Sequence, residues 1–193
     1  MKNTKNSVLA QVDERFGKLS QEEIETRYRV IETKLFEFAN FMESQRVFLY
    51  APLDSKIIGT ETIIRKTLHI EKSVILPVFT DAKNSFLLYK ISDFEKDLVT
   101  NADGVLEPDP GRCKKINLED VDIALIPGLA FDDKGGRVGF GNNYYAKLIT
   151  KLPETCRKVS LAYEAQMVDQ IQMESRKFTV DIIITDERVI YKI

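Results

Sequence analysis

The chain contains no tryptophan, a single histidine (His69) and two cysteines, Cys113 and Cys156, among its 193 residues. One imidazole and two widely separated thiols provide neither zinc-ligand spacing nor a histidine-based triad, which removes structural zinc and serine-protease-like chemistry from consideration. Without a disulfide framework, the chain reads as a protein of a reducing compartment, and the expectation is cytoplasmic. No apolar run reaches the roughly 18 residues a membrane span needs. The opening stretch, MKNTKNSVLAQVDERFGK, has no apolar segment of signal-peptide length. Neither charge sign dominates: 28 Lys and Arg stand against 30 Asp and Glu, a net charge of −2. Such a balance argues against a protein that coats nucleic acid or an anionic membrane, while leaving room for a local basic pocket. No repeat, low-complexity tract or clear linker is present, so residues 1–193 are expected to form one domain, as a monomer or small homo-oligomer.

What is present is alternation. In LSQEEIETRYRVIETKLFEFANFM, Ser20 and Glu23 fit a capping box, and Ile24, Tyr28, Ile31, Leu35, Phe38 and Met42 recur at helical spacing, predicting one long amphipathic helix. RVFLYAPL reads as a strand, Thr60–Leu68 as a helix and SVILPVF as a second strand, together a βαβ unit. SFLLYKI follows, and then turn chemistry at ADGVLEPDPGR. VDIALIPGL is apolar almost throughout, as expected of a strand covered on both faces. A helix in NYYAKLITKL, a strand in KVSLAYE, a short helix over Ala165–Ile171 and a closing strand in VDIIITD complete the pattern. The fold class predicted is α/β: three layers, with a mainly parallel central sheet flanked by helices.

In such sheets ligands gather beyond the carboxyl ends of the strands. The loop after VDIALIPGL carries Gly135, Gly136, Gly139 and Gly141 around Arg137 and runs into a helix start at Asn142 or Asn143. Bare backbone and a helix amino end suit a phosphate; the same glycines also suit an ordinary strand-to-helix connection. The loop is neither a Walker A sequence nor a dinucleotide fingerprint. Of the paired tyrosines that follow, Tyr144 and Tyr145, one can pack inward while the other faces the loop. His69 reads as a helix end, and the proline-bracketed acids Glu107 and Asp109 as a solvated turn.

Taken together, these segments resemble a known family. IPGLAFDDKGGRVGFGNNYYAKLI is similar to the signature of the 5-formyltetrahydrofolate cyclo-ligase family, also called methenyltetrahydrofolate synthetases. Lys5, the LSQEE helix opening, TETII, GVLEP, LAYEAQMVDQI and VDIIIT keep the family's order and spacing, so the likeness spans nearly the whole chain. The resemblance implies a ligase of one-carbon metabolism that consumes ATP, with Mg²⁺, to turn 5-formyltetrahydrofolate into 5,10-methenyltetrahydrofolate, ADP and phosphate. Its partners would be small molecules, a reduced folate and ATP. Carried over by position, Lys5, Arg137, Gly139, Phe140, Gly141, Asn142 and Asn143 would hold the nucleotide, with Arg137 also serving catalysis. Tyr144, Tyr145 and Glu61 would hold the folate, and Asp181 would serve the metal.

Three positions depart from the family pattern. The aspartate that follows the paired tyrosines is Ala146, the arginine four residues after the first lysine is Leu9, and the glutamate before TETII is Gly59 unless Glu61 replaces it. Asp132 or Asp133 could stand in for the carboxylate absent at Ala146. These departures define the alternative expectation, a non-catalytic or redirected homologue that binds a folate or a nucleotide.

Overall fold

The structure is a computed structural model that describes residues 5–51, 57–80, 85–102, 104–139, 143–172 and 178–192. Helices α1 (Lys5–Phe16), α2 (Gln21–Glu37) and α3 (Ala39–Glu43) lead into β1 (Arg46–Phe48), α4 (Glu61–His69), β2 (Ser73–Thr80) and β3 (Ser85–Ile91). Next come α5 (Phe94–Asp97), β4 (Leu98–Thr100), β5 (Leu106–Pro108), β6 (Lys114–Ile116) and β7 (Ile123–Leu125). A hairpin of β8 (Ala130–Phe131) and β9 (Arg137–Val138) precedes α6 (Tyr144–Lys151), β10 (Arg157–Ala162), β11 (Ile182–Thr185) and β12 (Val189–Tyr191).

The central sheet has eight strands in the order β12-β11-β10-β7-β1-β2-β3-β6. Its middle is parallel: β1 pairs with β2 and β7, and β10 pairs with β7 and β11. The edges are antiparallel, through β3 and β6 on one side and β12 on the other. This is the α/β arrangement that the alternation predicts, and β1–α4–β2 is the expected βαβ unit. β7 is buried along its whole length, and so is β11, which explains their continuous apolar sequences.

Several elements differ from expectation for local reasons. The long helix is broken at Phe38, whose φ of −73° and ψ of 117° are extended, so α2 and α3 are separate. Its capping box is as expected: the Glu23 N–H donates to Ser20 Oγ and the Ser20 N–H to the Glu23 carboxylate. The helix expected over Ala165–Ile171 is only a 3₁₀ turn at Glu164–Gln166. VDIIITD is not the last strand, because β12 turns back on it. α1 was not expected at all. It buries Val8 and Val12, one turn apart, in a small apolar cluster with Ala130, Val138, Val168 and Ile171, separate from the main core.

Candidate active site at the carboxyl edge of the sheet

Beyond the end of β7 the chain turns into the β8–β9 hairpin, and several contacts fix that turn. The buried Gln166 side chain donates to the carbonyls of Gly128 and Leu129, each at 3.2 Å, and its own Oε1 accepts the Tyr163 N–H at 2.9 Å. At the hairpin tip Gly135 takes a φ of +77°, and an added Cβ there would meet the Val180 carbonyl oxygen at 2.2 Å, so only glycine fits. Asp132 holds the tip together. Its Oδ1 accepts the N–H groups of Lys134 and Gly136, and its Oδ2 accepts the Ile171 N–H at 2.8 Å.

The hairpin carries Arg137 into the interior, where it is only 6% exposed. One Nη1 hydrogen bond, 2.9 Å to the Pro127 carbonyl, ties the guanidinium to the carboxyl end of β7. Among the described residues its buried Nε has no hydrogen-bond partner. Burial lowers the guanidinium from its ordinary value to about 10, with the nearby Tyr145 phenol opposing the shift. An added Cβ on Gly139 would meet Arg137 Nη1 at 3.0 Å, so the bare backbone there lets the guanidinium lie close.

A cavity of about 170 Å³ opens against this arginine. Lys5 and Val8 reach it from α1, Arg137 and Gly139 from the hairpin, and Asn143 from the amino end of α6. Val138, Ile171 and Gln172 complete the described lining. Asn143 adopts a left-handed φ of 61° and ψ of 15°, and its side chain does not cap α6. The residues described around the cavity include two cations and two carboxamides but no carboxylate. Such a donor-rich recess suits the oxygens of an anion.

An aromatic shelf begins next to Asn143. Tyr144, half-buried, stacks on Phe79 at the end of β2, with centroids 4.6 Å apart and planes 26° off parallel. Tyr145 meets the same ring edge-on at 5.2 Å but is buried in the main core, where burial raises its phenol.

Of the residues expected at the site, the structure thus gathers Lys5, Arg137, Gly139 and Asn143 in one cavity, with Tyr144 beside it in sequence. Phe140, Gly141 and Asn142 lie outside the described residues. Glu61 opens α4 and points into an exposed ion pair with Arg65 at 3.0 Å. Asp181 is not brought to the cavity. It immediately precedes β11, at the amino edge of the sheet, where Oδ2 accepts the Lys158 N–H at 2.9 Å and pairs with Lys158 Nζ at 3.0 Å. Sequence reasoning overlooked Phe79, Val8, Ile171 and Gln172. A signal for Val8 existed in its spacing from Val12; none existed for Phe79, which reaches Tyr144 only through tertiary packing.

The residues present do not form a magnesium site. Among the described residues no group of three or more His, Cys, Asp or Glu side chains is gathered to hold a metal. Asp132 is 2% exposed and spends both oxygens on backbone N–H groups. Asp133 is exposed and pairs with Arg188 at 3.1 Å. Neither replaces the carboxylate absent at Ala146.

A parallel-centred sheet with a donor-lined recess beyond the carboxyl end of a middle strand defines the class as an α/β protein with its candidate site at the carboxyl edge of the sheet. The sequence model of the 5-formyltetrahydrofolate cyclo-ligase family matches residues 1–186, and the chain belongs to that family, a family of ligases. It is 28% identical to a probable 5-formyltetrahydrofolate cyclo-ligase of Schizosaccharomyces pombe, with 98% of each chain covered. A Caenorhabditis elegans protein described in the same words is also 28% identical, over 90% of this chain and 88% of its own. Among solved structures, Aquifex aeolicus 5,10-methenyltetrahydrofolate synthetase superposes with a TM-score of 0.81 at 29% identity, covering 97% of this chain and 92% of that one. A Mycoplasma pneumoniae protein with the same designation shares the fold at 18% identity and a TM-score of 0.70. Among the described residues no helix is long and apolar enough to cross a membrane.

Proposed function

We propose that the chain, acting as a single cytoplasmic domain, uses ATP to convert 5-formyltetrahydrofolate into 5,10-methenyltetrahydrofolate, ADP and phosphate. The observation that carries this reading is the convergence on one cavity of Lys5, from α1, and Arg137, whose buried Nε has no partner among the described residues. A buried guanidinium donor without an acceptor is costly unless a ligand completes it. The phosphates of ATP are that ligand.

In the reaction the formyl oxygen attacks the γ-phosphorus and ADP leaves. The N10 amine then closes on the activated carbon, and the C–O bond breaks to release phosphate. Such a sequence needs no protein nucleophile; it needs the two substrates aligned, the charge on the transferred group balanced and water kept out. Lys5 and Arg137 balance that charge, Gly139 and Asn143 cradle the phosphates, and the Tyr144–Phe79 shelf receives the flat face of the pterin. Among the described residues no set of carboxylates is gathered for Mg²⁺.

Following the methenyl absorbance of the purified protein with 5-formyltetrahydrofolate, with and without ATP, tests the reading. An ATP-dependent rise is expected. No rise at any protein concentration, from folded protein that binds both substrates, would overturn it.

A further inference from the structure

We propose that Gln172 is a further binding residue of the phosphate cavity, its carboxamide donating to an oxygen of the ATP phosphate chain. The proposal rests on the reading of this cavity as the nucleotide site and adds to it a group supplied by the segment between β10 and β11.

The segment is fixed by three attachments to the hairpin. The Val168 N–H donates to the Phe131 carbonyl at 2.8 Å, Met167 forms a β-bridge with Phe131, and the Ile171 N–H donates to Asp132 Oδ2 at 2.8 Å. Ile171 is 8% exposed and seated among Val8, Val12 and Val138. With its neighbour clamped by both backbone and side chain, Gln172 is exposed and lines the same cavity as Arg137.

The chemistry of the wall selects the ligand. Every polar side chain that the described residues bring to the recess can donate: the Lys5 ammonium, the Arg137 guanidinium and the carboxamides of Asn143 and Gln172. Two cations and two neutral donors, with no carboxylate, match a chain of phosphate oxygens. At about 170 Å³ the recess is smaller than a whole-ligand pocket, so it takes the phosphate end and leaves the base and ribose outside. Arg137, which lines the same cavity, keeps a buried Nε with no hydrogen-bond partner among the described residues.

The test compares Gln172→Ala, Gln172→Glu and Lys5→Ala in the full chain, by calorimetric titration with ATP and by separate KM values for ATP and 5-formyltetrahydrofolate. Gln172→Ala is expected to weaken ATP about tenfold, the lower end for one lost hydrogen bond to a charged acceptor, and Gln172→Glu by about thirtyfold or more. The folate KM and the melting temperature should stay unchanged in both. If Lys5→Ala weakens ATP while Gln172→Glu binds it like the unmodified protein, Gln172 does not face the phosphates and the nucleotide site stands without it. If neither Lys5→Ala nor Gln172→Glu alters ATP binding, the cavity is not the nucleotide site and both readings fall. A change confined to the folate KM would also overturn the proposal.

Discussion

Tyr144 and Phe79 stack with their centroids 4.6 Å apart, joining the first turn of α6 to the end of β2. The stack holds one half-buried ring in place at the start of α6, next to Asn143 of the cavity. Tyr144→Ala is therefore expected to raise the KM for 5-formyltetrahydrofolate about threefold to tenfold, the range of one aromatic contact, with kcat changed less. Tyr144→Phe should stay near the unmodified protein. Phe79→Leu, which leaves Tyr144 without its support, should reproduce part of the effect; an unchanged folate KM in both Tyr144→Ala and Phe79→Leu would remove the shelf from the substrate site.

Lys5 is exposed at the start of α1, and the helix is anchored through the buried Val8 and Val12. Lys5→Ala should cost about 10-fold or more in the KM for ATP, as loss of a charge-assisted contact, and leave the melting temperature alone. Steady-state kinetics at varied ATP, with a thermal melt as control, reads both quantities.

Asp132 shows why a carboxylate inside a signature loop need not belong to chemistry. Its two oxygens accept three backbone N–H groups, from Lys134, Gly136 and Ile171. Asp132→Ala strands those donors and should destabilise the fold by about 3 kcal/mol, measured as a lower urea midpoint. Because the Ile171 end of this clamp borders the cavity, the variant should also weaken ATP. A urea midpoint equal to that of the unmodified protein would contradict the assignment.

Cys156 is buried beneath the start of β10, and burial pushes its thiol up to about 12 from an ordinary 9. Between those values the unfolded chain gives up a proton that the folded chain keeps, so unfolding is favoured as pH rises. The stabilising contribution is complete below about pH 9 and is lost as pH climbs toward about 12. Stability measured by denaturant against pH should fall across that window, and the fall should be shallower in Cys156→Ala. Equal slopes for the two proteins would show that the thiol does not titrate as its burial requires.

How much of this was legible beforehand differs by element. The buried strands β7 and β11 announce themselves because both faces are covered and the whole run must be apolar. The capping box of α2 is a local signal and was readable residue by residue. α1 was not, since four of its twelve residues are charged and its apolar stripe is little more than Val8 and Val12. At the site, Arg137 and its glycines could be picked out by their resemblance to a family signature. The role of Gln172, the stacking of Phe79 and the separation of Asp181 from the cavity could not, because each depends on which strand ends face the same edge of the sheet. Asp181 precedes β11 and therefore sits at the amino edge, opposite the loop that follows β7.

The absence of a carboxylate at Ala146 leads to a further expectation. Ala146 lies in the first turn of α6, where an added negative charge is favoured by the helix amino end. Ala146→Asp should lower the Mg²⁺ concentration needed for half-maximal turnover without improving the folate KM. An unchanged Mg²⁺ profile would mean that the first turn of α6 does not approach the metal.

The most direct measurement follows absorbance in the methenyltetrahydrofolate band with pure protein, 5-formyltetrahydrofolate, Mg²⁺ and ATP, beside the same mixture without ATP and beside Lys5→Ala. The account predicts a rise that requires ATP and is slowed in Lys5→Ala at limiting ATP. A protein that binds ATP and folate in titrations yet gives no rise would contradict it, and would leave a binding protein built on a cyclo-ligase scaffold.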